Sequence, residues 1–554
     1  MAIKLRQSNL DKLQEQTFDV LILGGGINGA VAAASLAGRG VRVALIDKGD
    51  FASGVSSNSS NLAWGGIKYL ESHEYLLVNK LCKSRNHLMR SYPSTVKEVR
   101  FFTTIQRGFR YWPSFVFLGT IVYWIMGRFM TKAPRYVSAR GLEKAEPIVN
   151  TSDAAGGFEY SDCYLYDNDA RFVFNFIRKS LNYGCIAVNY VESTDAVRDG
   201  STWITSARDN ISGDNLSIRS TAVINACGPY VDIQNEIRGE ETQYRHLFSK
   251  GVHLIVDQIT DNKRVLTFFA SDGRLFFLIP MGPKTCIGTT DTQVDSPEVA
   301  VTDEDRDFIL ANANALLDLK RPLERADIIA ERIGVRPLAI KGEGGKADWV
   351  QLSRKHVIEV DEANFHMSIF GGKLTDCLNV GDEVAELIEK LGIAVPQPNN
   401  RWYGEPGETM RREFMLQAQL MDLDSLTDKS SSEPLSERFW RRYGESALGL
   451  LERIREDETQ AELLIENAEY TRCEIELAAR REMVVKLEDF MRRRSKIELV
   501  VRDTEIVSAP GLKEACEILF GPLAQMRYQE YIDALYSKGA DAPQTASSGV
   551  VSRI

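Results

Sequence analysis

Three glycines, Gly24, Gly26 and Gly29, are spaced G-x-G-x-x-G and are followed by the acidic residue Asp47. Each residue in that pattern has a physical task. The first glycine permits a tight turn, the second lets a pyrophosphate approach the backbone, and the third lets a helix pack closely on a strand. The helix opening there offers unpaired N–H groups and a positive dipole end to phosphates. A carboxylate at the end of the next strand accepts hydrogen bonds from ribose hydroxyls, which favours FAD or NAD over a 2′-phosphorylated cofactor. A second constellation, Gly371-Gly372-Lys373, stands directly before a helix and after the strand-like run HMSIF. A helix N-terminus aimed at the pyrimidine edge of a flavin stabilises the negative charge of the reduced ring. The first motif leaves FAD and NAD open, and the second selects FAD.

The elements that must hold these residues can be read from periodicity. Phe18 to Leu23 is a strand-like run, GGGINGAVAAASLAGRG an Ala-rich helical stretch closed by glycines, and Val41 to Ile46 a second strand, together a βαβ unit. From roughly residue 150 to 370 short strands alternate with turns, broken by a helix that Thr302 and Asp305 open as a capping pattern. IFGGKLTDCLNVGDEVAELIEKLG reads as strand, glycine turn and helix, with Leu374, Leu378, Ala385, Ile388 and Leu391 on one face. VPQPNNRWYGEPGE is a Pro/Asn/Gly-rich linker, and strongly helical sequence follows, with a capping box at Thr471 and Glu474.

The chain has 554 residues, 44% of them hydrophobic, so two or three domains with a large core are expected. The 67 basic and 77 acidic residues leave a net charge of -10, which speaks against nucleic acid as a partner. The 8 cysteines form no C-x-x-C pair, so neither a zinc site nor a disulfide framework is indicated, and reduced thiols in a cytoplasmic setting are expected. No secretory h-region opens the sequence. Tyr111 to Gly127 is uncharged, aromatic and flanked by Arg110 and Arg128. It reads either as a buried core element or as a segment resting among lipid headgroups at the cytoplasmic membrane face. The arginines of RFWRR (438–442) and RRRSK (492–496) read as solvated faces or ion pairs, and would add to such a membrane contact if it exists.

Taken together, VLILGGGINGAVAA, SSNSSNLAWGGIKYLE, DNDARFVF, INACGPYV, KGVHLIV, DGRLFFLIP, IGTTDT, GVRPLA and IFGGKLT resemble the FAD-dependent glycerol-3-phosphate dehydrogenases, in that family's order, over roughly residues 17 to 535. The resemblance implies an α/β protein with a glutathione-reductase-like FAD-binding domain, a D-amino-acid-oxidase-like mixed-sheet substrate domain and an all-α C-terminal domain. The expected division is an interleaved unit over 17–395, with FAD parts at about 17–80, 150–230 and 355–395 and substrate parts at about 81–149 and 231–354. A linker over 396–408, a helical domain over 409–537 and a disordered tail over 538–554 complete it. The implied reaction oxidises glycerol 3-phosphate to dihydroxyacetone phosphate by hydride transfer to the flavin. Electrons would leave to a quinone or another acceptor, and a homodimer is compatible with the family.

The resemblance also carries over residues. Gly24, Gly26, Asn28, Gly29, Asp47, Ser59, Ser60, Asn61, Gly65, Gly66, Gly228, Gly371, Gly372, Lys373, Leu374 and Thr375 would contact FAD. Lys68, Tyr69, Arg274, Arg336 and Arg354 would hold substrate, with His253, Arg336 and Lys373 as the catalytic set and His253 as an acid/base or orienting group. The sequence departs from the family's pattern at the site. Asn61, Trp64 and Lys68 stand where the family shows Lys, His and Arg, and Asp376-Cys377-Leu378 replaces Thr-Tyr-Arg. Lysine keeps the charge at 68 but loses the bidentate fork. Because Arg274, Arg336 and Arg354 remain, an active enzyme is expected, acting on glycerol 3-phosphate or on a related phosphorylated polyol. An amine or hydroxy-acid oxidoreductase and a non-catalytic flavin binder are the competing readings.

Overall fold

The computed structural model describes residues 2–342, 355–429 and 431–540. Arg354 and residues 541–554 of the tail lie outside the described residues. The first sheet has eight strands, with Thr17–Leu23 paired in parallel to Asn215–Asn225 on one side and to Val43–Asp47 on the other. His366–Phe370 extends the parallel order beyond Asn215–Asn225, and Ile186–Asn189 extends it beyond Val43–Asp47. The alanines of the helix Ile27–Gly38 are buried, and their small side chains let it lie between the sheet and the helices Asp169–Asn182 and Cys377–Lys390.

The second sheet has ten strands. At one end of it lies the long antiparallel pair Tyr244–Asp257 and Ala330–Lys341, and a second long pair, Val96–Gln106 and Ala154–Leu165, lies toward the other end. Leu62–Ala63, inside the SNLAWGG block, pairs at the edge with Ala154–Leu165. The strand at 154–165 therefore belongs with the second sheet rather than the first, and the substrate-side portion runs past the expected boundary at 149. The helix Ala524–Ala540 likewise runs into the first residues of the expected disordered tail.

Both capping boxes form, at Thr302 with Asp305 and at Thr471 with Glu474. Tyr111 to Gly127 is mostly the helix Pro113–Met126, which Pro113 opens from its first turn. It is not a core element, because Trp112, Phe115, Leu118, Val122 and Ile125 are exposed while Thr120 and Tyr123 are buried. Among the described residues no helix is long and apolar enough to cross a membrane.

The arginine-rich stretches of the helical domain do not form solvated faces. Arg494 donates to both carboxylate oxygens of Asp50, each at 2.8 Å, and Arg493 donates to the same group at 2.7 Å. Arg441 and Arg442 both pair with Asp167, and Arg442 also pairs with Glu474. Of the arginines and the lysine in these two stretches, all but the half-buried Arg492 are buried, so these cations cannot reach a lipid surface. Arg493 and Arg494 instead tie the helical domain to the segment that follows Asp47, and Arg441 and Arg442 tie it to Asp167.

Candidate active site

A cavity of about 1940 Å³ runs between the two sheets. At one end it meets the glycine motif, where Gly24 holds φ +96°. A Cβ on Gly29 would lie 1.8 Å from the carbonyl oxygen of Gly24, so the turn and the helix can close only on glycine. Asp47 accepts from the amides of Gly25 at 2.6 Å and Gly49 at 2.8 Å. Burial pushes its pKa up to about 6 even against those two bonds. Val191 to Thr194 and Lys48 line the same end. Sequence reasoning missed them because nothing local separates that strand from any other.

The two cofactor motifs meet across the chain. Asn28 donates to the carbonyl oxygen of Gly371 at 3.0 Å, joining the first helix turn to the second glycine pair. Gly371 and Gly372 take φ of +63° and +112°, and the amide of Gly371 donates to His246 at 3.2 Å. Lys373 donates to the hydroxyl of Tyr69 at 3.0 Å, and Thr375 to the carbonyl oxygen of Trp64 at 3.3 Å. The SNLAWGG block and the GGKLT loop are thereby fastened to each other.

Ser59, Ser60, Trp64, Lys68, Tyr69, Gly228 and Leu374 line the cavity, whereas Asn61, Gly65 and Gly66 stand behind its wall. Asn61 has a left-handed φ of +58° and turns its side chain to Arg332, which donates to it at 3.1 Å and to the carbonyl oxygen of Ser59 at 2.6 Å. Arg332 is fully buried, pairs with Asp169 at 3.4 Å, and was not foreseen. Its partner lies in DNDARFVF, so the signal was in that stretch, but the pairing spans 163 residues.

Arg336 crosses over Gly251, where a Cβ would fall 2.3 Å from the guanidinium, and is braced by Asp291 at 3.2 Å and Thr289 at 3.1 Å. His253 lies nearby with both ring nitrogens unpartnered among the described residues. Burial, then the charges of Arg336 and Arg332, lowers its pKa to about 3, so the imidazole is neutral. Arg274 lines the cavity while paired with Asp272.

Behind the GGKLT loop, protonated His356 donates to Asp376 (3.0 Å) and to Glu383 (2.8 Å). Burial alone would lower its pKa, but these two carboxylates outweigh it and raise it to about 8. A raised histidine contributes stability that is complete below its unfolded pKa and is lost as pH rises through about 8, here about 2 kcal/mol. Melting temperature is therefore expected to fall between pH 6.5 and 8.5 in the wild type, and His356→Asn should flatten that segment of the curve.

Comparison with known proteins fits this geometry. Residues 19–348 match the family model described as FAD dependent oxidoreductase, and residues 409–517 match the C-terminal domain of alpha-glycerophosphate oxidase. A glycerol-3-phosphate dehydrogenase of Pseudomonas aeruginosa is 30% identical over 509 residues, covering 89% of this chain and 94% of that protein. The chain belongs to the FAD-dependent glycerol-3-phosphate dehydrogenase family. A D-erythritol 1-phosphate dehydrogenase of Brucella abortus is 29% identical over 397 residues, 70% of this chain and 76% of that one. The crystal structure of the Bacillus halodurans glycerol-3-phosphate dehydrogenase complexed with FAD aligns over 96% of this chain and 97% of its own. Its TM-score is 0.72 at 23% identity, a likeness of fold. The protein is thus an FAD-dependent oxidoreductase with the two-sheet fold and helical C-terminal domain expected. The glycine cradle at Gly29, the acidic wall at Asp47 and the paired turn at Gly371-Gly372 fit the dinucleotide.

Proposed function

We propose that the protein oxidises sn-glycerol 3-phosphate at its secondary alcohol, giving dihydroxyacetone phosphate, and hands the electrons to a quinone or another acceptor. The observation that carries this reading is the neutral, unpartnered imidazole of His253 beside the braced guanidinium of Arg336 in the cavity wall. FAD, when bound, supplies the hydride acceptor. Arg336, with Lys68 and Arg274, holds the phosphate through charge-assisted hydrogen bonds. The phosphate's charge offsets that of Arg336, one of the groups depressing His253, and so moves the imidazole toward the range in which it can take the hydroxyl proton. Lys373, at the turn leading into the helix Cys377–Lys390, would hold positive charge near a bound flavin. Arg354, outside the described residues, stays a substrate contact by resemblance.

The acceptor reading is supported by the helix Pro113–Met126. Phe115, Val116, Leu118 and Val122 line the cavity, and Trp112, Phe115, Leu118 and Ile125 form an apolar exposed surface between Arg110 and Arg128. Such a face suits contact with the cytoplasmic membrane surface and entry of a lipophilic acceptor. A second reading, a longer phosphorylated polyol, is favoured by Lys68 and Trp64 in the cavity wall and by the erythritol phosphate enzyme among the relatives.

Anaerobic bleaching of the flavin absorbance tests both. Glycerol 3-phosphate is expected to bleach the holoprotein at a rate well above erythritol 1-phosphate, with dithionite setting full reduction. Faster bleaching by erythritol 1-phosphate would exchange the readings, and bleaching by dithionite alone would remove both.

A further inference from the structure

The turn Trp64–Gly65–Gly66 is held from behind by a buried polar cluster that the reaction outlined above does not use. The Gly65 amide donates to both oxygens of Asp162, at 3.3 and 3.2 Å. The same carboxylate accepts from the hydroxyl of Tyr123 at 2.5 Å and from Arg85 at 3.3 Å. Asp162, Arg85 and Tyr123 are all within 2% of complete burial. A Cβ on Gly65 would lie 2.2 Å from the Tyr123 hydroxyl, so the glycine exists to admit that contact. On the cavity side the turn is fastened by Thr375, which donates to Trp64, and the Trp64 indole donates to Tyr160 at 3.4 Å.

We propose that Tyr123 and Asp162 are positioning residues for the reaction, fixing through the Gly65 amide where Trp64 and Lys68 stand in the cavity wall. Three physical points carry this. A carboxylate buried in an apolar cluster is retained against its desolvation cost only with well-formed partners, and here one partner is the backbone of the site itself. Gly66 holds φ +80°, so the turn cannot relax by ordinary backbone adjustment without losing the register that sends Lys68 and Tyr69 into the cavity. Tyr123 lies on the inner face of the helix Pro113–Met126, whose C-terminal end is fixed by Asn86 donating to the Gly127 carbonyl oxygen at 2.8 Å. The anchor of the turn therefore sits on the same helix whose outer face is exposed.

Tyr123→Phe removes one hydroxyl and keeps the ring packed against Tyr160, whose centroid is 6.1 Å away. The expected result is a tenfold slower single-turnover bleaching by glycerol 3-phosphate, corresponding to about 1.4 kcal/mol, with FAD content unchanged. The visible circular dichroism of the bound flavin should also change, because the wall beside it shifts. Ile105→Val, a buried neighbour in the same apolar cluster, serves as a control that lowers melting temperature without touching the turn. If Tyr123→Phe lowers melting temperature but leaves both bleaching rate and flavin dichroism as in Ile105→Val, the cluster is structural only and the proposal falls. The rate arm rests on the glycerol 3-phosphate reading. The dichroism arm needs no substrate, so it decides the proposal even where that reading fails.

Discussion

Replacing Asp50 by alanine is expected to lower unfolding free energy by about 3–5 kcal/mol and to yield protein largely depleted of FAD. Asp50 is buried and accepts from Arg493, from both terminal nitrogens of Arg494, and from the side chain of Asn189 at 2.8 Å. Burial alone would raise its pKa, yet the two guanidiniums hold it below the usual carboxylate range, so the ion pairing outweighs desolvation. The substitution leaves Arg494 with the carbonyl oxygen of Glu482 as acceptor and, among the described residues, no carboxylate in contact, a desolvated charge with too few partners. Asp50 follows Asp47, Lys48 and Gly49, and the last donates to Asp47. Release of this segment should therefore loosen the carboxylate of Asp47, the proposed ribose contact, together with the helical domain. Thermal denaturation and the flavin-to-protein ratio of the purified variant measure the two effects. Asp50→Asn, which keeps an acceptor, should fall between. A wild-type melting temperature in Asp50→Ala would show that Asp489, bonded to Arg493 at 2.7 Å, compensates alone.

How far this architecture was legible in the chain depends on the distance over which each signal acts. Gly24, Gly26, Gly29 and Asp47 act within one βαβ unit, so spacing alone located them. Capping at Thr302 and Thr471 is likewise local and formed as read. The arginines around 438–442 and 492–496 read as solvated faces or ion pairs, and sequence leaves the two open because their partners, Asp50 and Asp167, lie hundreds of residues upstream. Charge runs usually are solvated, and only tertiary pairing reverses that. Asn61 reads as a flavin contact by its place in a motif. Its left-handed backbone turns it to Arg332 instead, a rotation no pattern encodes. The segment from Tyr111 to Gly127 reads as a buried core element or as one resting among lipid headgroups, and the core reading fails. Its helix buries Tyr123 for a polar contact with Asp162 and leaves its apolar side exposed, so hydrophobic residues marked the outer face. Composition cannot tell which side of such a helix faces in.

Arg336→Lys and Arg336→Met should separate the two tasks assigned to this residue. Lysine keeps the charge but loses the planar fork that Asp291 and Thr289 brace, and about a hundredfold loss in kcat/KM for glycerol 3-phosphate is expected, carried mainly by KM. Methionine keeps bulk over Gly251, loses the charge as well, and should cost still more. The pH profiles of kcat then differ in sign-determined fashion. His253 is held near 3 first by burial and next by the Arg336 charge, so removing that charge raises its pKa whereas lysine leaves it little changed. If His253 must be neutral to take the proton, the rate is lost as pH falls through its pKa. The acidic limb should therefore move to higher pH in Arg336→Met and stay in place in Arg336→Lys. Coincident limbs in both variants would separate Arg336 from the titration of the base, leaving it a phosphate ligand alone.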